Sequence, residues 1–149
     1  MLQETTFDEL LETNRLLKHQ CDYYSQILNN ATDMISMHDA SGNYLFATPN
    51  CNQFTGYQPG DLTEKNIHDF LHLEDKNLVL ENYQRILTED TIVCYSYRIQ
   101  HKDGGFKWVE TTSRGIKNSR TNKIDQVLAH TRDITKQKCM EQALQNKCK

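Results

Sequence analysis

No apolar run in the 149-residue chain is longer than a few residues, far short of the roughly 20 that a membrane-spanning helix needs. No basic stripe stands out either. The 17 basic and 20 acidic side chains leave a net charge of −3, which gives nucleic-acid binding little electrostatic support. No two of the five cysteines (Cys21, Cys51, Cys94, Cys139, Cys148) are spaced as CxxC, and their number is odd. That argues against a disulfide framework or a zinc knuckle and favours free thiols in a reducing compartment. Catalytic signatures are missing too: there is no G-x-S-x-G, no Walker motif and no H-E-x-x-H, and no carboxylate pair is marked out. The opening, MLQETTFDEL, is polar and acidic, unlike a secretory signal. The expectation is a non-catalytic, cytoplasmic region that itself contacts neither nucleic acid nor membrane.

What is present suits one domain, which at this length can bury a real core. Apolar residues are 37% of the chain and charged residues 25%, ordinary values for a globular protein. Residues 6–28 lack Gly and Pro and read as a helix, with Thr6 and Glu9 spaced as a capping box. With Phe7 at an a position, the a/d series is Phe7, Leu10, Asn14, Leu17, Cys21, Tyr24 and Leu28. That seam predicts a homodimer through a short coiled coil, with Asn14 fixing register at some cost in stability. The alternative is a lone amphipathic helix lying on the domain.

Residues 33–39 and 43–48 predict two strands joined by Asp39-Ala40-Ser41-Gly42, a turn sequence. Pro49 ends the second. Short helical pieces follow to residue 75, with Leu62, Ile67, Phe70 and Leu71 as their apolar set. A clearer helix over 75–87 has Asp75 as its candidate cap and Val79, Tyr83, Ile86 and Leu87 on one face. Val93, Tyr95, Tyr97 and Ile99 alternate strictly, as in a half-buried strand. Lys102-Asp103-Gly104-Gly105 turns the chain into a strand over 106–116, and residues 124–132 form a last one. From Thr135 to Cys148 the pattern is helical with no stop signal, so the helix is expected to continue. The order predicts an α+β fold: an antiparallel sheet carrying helices on one face.

Several motifs recur in family order across residues 22–138, and together they resemble the PAS family in its PAS-plus-PAC form. They are Asp33-Met34-Ile35 with Asp39-x-x-Gly42, then Thr48-Pro49-Asn50, then Thr55-Gly56-Tyr57. His72-Leu73-Glu74-Asp75 stands where the family has H-P-x-D, with Leu73 in place of proline. Tyr97-Arg98-Ile99, Lys102-Asp103-Gly104, Trp108-Val109 and Asp133-Ile134-Thr135 complete the series. The resemblance implies a five-stranded antiparallel sheet cupped over short helices. It divides the chain into an N-terminal helix (1–28), a sensory domain (29–134) and the start of a signalling helix (135–149). It also implies a signal-input and dimerisation module attached to a C-terminal effector domain. The effector is expected to be a sensor histidine kinase, or alternatively a diguanylate cyclase; a ligand-free protein-interaction module is the other reading. Asp133, Ile134 and Thr135 are the expected signal junction.

Cofactors are not expected. Haem-binding relatives carry an axial ligand on the long helix, and residues 75–87 contain no His, Cys or Met. Covalent flavin photosensors need a cysteine in the short helix before His72, and residues 61–71 have none. Cys51 belongs to the preceding helix. A small organic ligand held by Tyr83, Tyr95, Tyr97 or Trp108 is one reading of the aromatic residues, and packing is the other. His68 and His72 could share a helix face as metal ligands, but no third ligand is evident, so no metal is expected. His38 and His130 read as packed or surface residues. The resemblance further implies an ion pair between Glu74, or less favourably Asp75, and Lys102.

Overall fold

The computed structural model describes residues 6–30 and 32–147, with the backbone alone at 28–30 and 146–147. The chain divides into two compact units, residues 1–31 and 32–149. The first is helix α1, Phe7–Asn30. Its start is the expected capping box: the Thr6 hydroxyl accepts from the Glu9 amide at 3.2 Å and the Glu9 carboxylate accepts from the Thr6 amide at 3.4 Å. Two of the four orphan donors at the helix start are thereby satisfied.

The second unit runs β1 (Met34–Asp39), β2 (Tyr44–Ala47), α2 (Cys51–Thr55), α3 (Pro59–Leu62) and two 3-10 turns (Ile67–Phe70, Leu73–Asp75). Helix α4 (Lys76–Thr88), strands β3 (Ile92–Gln100), β4 (Phe106–Lys117) and β5 (Ile124–Asp133), and helix α5 (Thr135–Lys147) follow. The strands form one antiparallel sheet in the order β2-β1-β5-β4-β3. The first and last strands thus meet at the centre, and β5 delivers the chain to α5 from there.

Strand period decides which face is buried. Met34, Ser36 and His38 of β1 point inward, as do Val93, Tyr97 and Ile99 of β3 and Val109, Thr111 and Ser113 of β4. Val127, Ala129 and Thr131 complete the inner face from β5. Over them lie Leu62, Ile67, Phe70 and Leu71 from the short helical pieces and Val79, Tyr83 and Ile86 from α4. Two positions depend on glycine. Gly56 ends α2 at φ +81°, a left-handed cap that a side chain resists. Gly115 of β4 faces the end of α4, where an added Cβ would lie 2.4 Å from Ile124 and 3.0 Å from the Ile86 carbonyl oxygen.

Two helix starts are held differently from what local capping rules suggest, and the expected Asp75 cap is corrected. Asp75 precedes α4 but makes no side-chain cap, because its carboxylate is engaged by Arg98. Thr135 opens α5 with its hydroxyl turned to β4, bound to both the amide and the carbonyl of Trp108. The capping contact there comes from Asp133 alone, whose Oδ1 accepts from the Thr135 amide at 2.9 Å.

Candidate functional site

The middle of the inner sheet face is polar. Two apolar clusters flank it, one around Phe54, Phe70 and Ile99 and a smaller one around Tyr83, Ile86 and Val127. Between them sit Ser36, His38, Thr111, Ser113 and Thr131, all buried, with Tyr95 and Tyr97 stacked at 5.5 Å. Buried hydroxyls need partners, and most of these have them. Thr111 donates to the Tyr97 hydroxyl at 2.9 Å and lies 3.0 Å from the Thr131 hydroxyl. Tyr83 donates from α4 to the Asp39 carbonyl at 2.6 Å. Burial pushes the phenols of Tyr83, Tyr95 and Tyr97 up, so all three stay neutral donors. The space left among these side chains is about 10 Å³, room for about one water and nothing larger without rearrangement.

Three of the four aromatic residues expected at the cavity line it: Tyr83, Tyr95 and Tyr97. Trp108 does not, and strand parity is the reason. Its neighbour Val109 faces in, so Trp108 faces out, between the Arg98 guanidinium at 5.0 Å and the Lys138 ammonium at 5.1 Å.

The four singled-out histidines separate into different roles. His38 is buried, with Nε2 2.8 Å from the Ser36 hydroxyl and Nδ1 3.4 Å from the Gly42 carbonyl. The carbonyl can only accept, so Nδ1 carries the proton and Nε2 accepts from Ser36. Burial lowers its pKa to about 4, which keeps the ring neutral. His68 packs edge-on to Tyr83 and is also pushed down by burial. His72 Nδ1 accepts from the Glu74 amide, capping the start of the second 3-10 turn. His130 lies at the surface, 3.1 Å from Asp33. No three of His, Cys, Asp or Glu gather as metal ligands among the described residues. The Cys51 thiol is buried and pushed up to about 11, with Sγ 3.4 Å from the Tyr57 carbonyl, so it is unreactive as a thiolate.

The expected carboxylate–Lys102 pair gives way to another. Glu74 and Asp75 both bind Arg98, at 3.1 and 2.9 Å, and Asp75 also accepts from the Arg98 amide at 2.8 Å. The backbone explains the choice. The His72 amide bonds the Arg98 carbonyl, which seats the two carboxylates beside residue 98. Lys102 is held in the next turn by its amide bond to the Thr55 carbonyl, with its ammonium 5.3 Å from the Tyr57 ring centroid. Sequence reading missed Arg98 because its partners lie 23 and 24 residues upstream, although its flank to a buried tyrosine marks it as outward-facing.

At the end of the sheet, Asp133, Ile134 and Thr135 join β5 to α5. The Ile134 amide bonds the Trp108 carbonyl at 2.9 Å and its side chain is buried. Lys107 adds a tie unforeseen from sequence: its ammonium donates to the Gln53 carbonyl at 2.7 Å and lies 3.8 Å from Asp133. In the other unit, the seam residues Phe7, Leu10, Asn14, Leu17, Cys21 and Tyr24 are all exposed on α1, and the Leu28 side chain lies outside the described residues.

A family model for the PAS fold matches residues 44–130, and the chain belongs to that family. It is 32% identical over 102 residues, 68% of its length, to the Period circadian protein of Hyalophora cecropia. The chain spans only 28% of that relative. Among solved structures, it resembles the PAS domain of an HTR-like protein from Haloarcula marismortui, with a TM-score of 0.70 and 20% identity over 83% of this chain and 98% of that one. A sensory box histidine kinase/response regulator from Burkholderia thailandensis matches with a TM-score of 0.66 and 19% identity, over 83% of this chain and 93% of that one. At these identities the structural matches bear on the fold. The five-stranded antiparallel sheet with helices on one face is the PAS fold expected from the sequence.

Proposed function

We propose that this chain is the signal-input and dimerisation module of a larger signal-transduction protein, a sensor histidine kinase. A change in the polar core or at a subunit interface moves β4 and β5, and α5 inherits the movement through Asp133, Ile134 and Thr135. The observation that carries this reading is the pair of hydrogen bonds between the Thr135 hydroxyl and Trp108: the first residue of α5 is fixed to the amide and carbonyl of a strand in which Val109 and Thr111 lie in the core. Transmission requires an element with two arrangements that both ends bias, and a helix start held by a few hydrogen bonds is such an element. Self-association is assigned to the exposed seam of α1, with the effector following α5. Domains of this fold occur in a sensory box histidine kinase and in a diguanylate cyclase, and the kinase is the output proposed.

A second reading, a protein-interaction module that takes no ligand, is favoured by the small residual space in the core. The two are separated by native mass spectrometry of purified protein and by effector activity in the full-length protein. A retained small molecule supports the ligand-sensing form, while interface variants that alter activity in a ligand-free protein support the other.

A further inference from the structure

Away from the core, the loop after α2, the first 3-10 turn and the β3–β4 turn enclose a hollow of about 320 Å³ lined by Tyr57, Lys65, Asp69, His101 and Lys102, among others. Its walls are fixed. The Tyr57 ring packs edge-on against Phe70 at 5.6 Å. The Lys102 amide is bonded to the Thr55 carbonyl, and Lys65 is held at both its amide and its carbonyl. Gly56 lets the β3–β4 turn come this close, since an added Cβ would lie 2.7 Å from His101 and Lys102.

From these anchored positions, two ammonium groups converge on one ring, Lys65 at 4.9 Å and Lys102 at 5.3 Å from the Tyr57 centroid. The ring attracts cations through its quadrupole but carries no net charge, so neither ammonium is neutralised. Neither lysine has a carboxylate within ion-pair distance among the described residues. Asp69 lines the same hollow and leaves a local charge of about +1 from these lysines and itself, in a chain of net charge −3. His101 supplies a third donor. Its Nδ1 accepts from the Asp103 amide when the ring is neutral and faces the Asp103 carboxylate when it is protonated. In either form Nε2 carries a proton.

We infer that this hollow is a binding site for a small dianionic oxyanion, of the size of hydrogen phosphate or a short dicarboxylate, clasped between Lys65 and Lys102. The two ammonium groups share its charge, and the His101 Nε2–H completes its hydrogen bonding. The site is separate from the polar core.

The test titrates the full chain with inorganic phosphate, malonate and acetate at constant ionic strength, following amide shifts by two-dimensional NMR. Phosphate and malonate should give saturable shifts centred on Tyr57, Lys65 and Lys102, with acetate weaker by about tenfold or more because it offers one charge to two cations. Lys65→Gln and Lys102→Gln should each weaken dianion binding by about tenfold while leaving the rest of the spectrum unchanged, and Lys136→Gln on α5 should leave binding intact. Shifts that do not saturate, equal responses to acetate and the dianions, or equal losses in all three lysine variants would overturn the assignment.

Discussion

His38 is a buried imidazole whose neutral form is held by Ser36 and Gly42. Its pKa falls from 6.5 to about 4 on folding, so between those values the unfolded chain binds a proton that the native one refuses. Stability from this residue is complete above about pH 6.5 and is lost as pH falls toward 4, by about 3 kcal/mol in all. His68 is pushed in the same direction and adds to the loss. Asp75 titrates in a lower window: Arg98 holds its pKa below the usual carboxylate value, so its contribution is present above about pH 4 and lost only below it. Urea melts at pH 7 and pH 4.5 should show a smaller difference for His38→Gln than for wild type. Equal differences would mean that the imidazole does not titrate as its burial requires. Asp75→Ala should cost about 2 kcal/mol at pH 7, because it leaves both the Arg98 amide and its guanidinium without their acceptor. A loss near zero in a denaturant titration would show that solvent replaces the carboxylate.

Most elements were legible in the sequence because each carries its own local signal. The alternation of Val93, Tyr95, Tyr97 and Ile99 marks β3, and the run Asp39 to Gly42 marks the first hairpin. Misreadings came where a tertiary partner outcompeted a local one. Asp75 and Thr135 both occupy good capping positions, yet Arg98 claims one side chain and Trp108 the other. By its type Trp108 suits the cavity, as ligand contact or as packing, whereas its place one residue before Val109 puts it outside. The polar band of the core was not legible, since Ser36, Thr111 and Thr131 converge only once β1, β4 and β5 are adjacent. Helix α1 makes its own prediction. A parallel, in-register pair through its seam sets Cys21 opposite Cys21, so oxidation with copper phenanthroline should yield a covalent dimer that Cys21→Ser abolishes. Replacing Leu10 and Leu17 with Glu should give monomer by light scattering. A wild type already monomeric at high concentration would remove the seam from the account.

For the whole molecule, the sheet order brings β5 to the centre, and in the function proposed above its exit into α5 is the path from core to effector. The bonds at that exit are individually small: a cap is worth about 1 kcal/mol, against about 5–15 kcal/mol for a domain, yet this matches a usual coupling energy of about 1–3 kcal/mol. Loosening the exit should therefore change signalling far more than folding. The most direct measurement is effector activity in the full-length protein carrying Asp133→Ala or Thr135→Ala, basal and stimulated, beside the melting temperature of the same proteins. The account predicts a domain that melts within a few degrees of wild type and an effector whose basal activity, stimulated activity or both are altered. Unchanged activity in both variants, with the fold intact, would contradict it, because the signal would then leave the domain by another path.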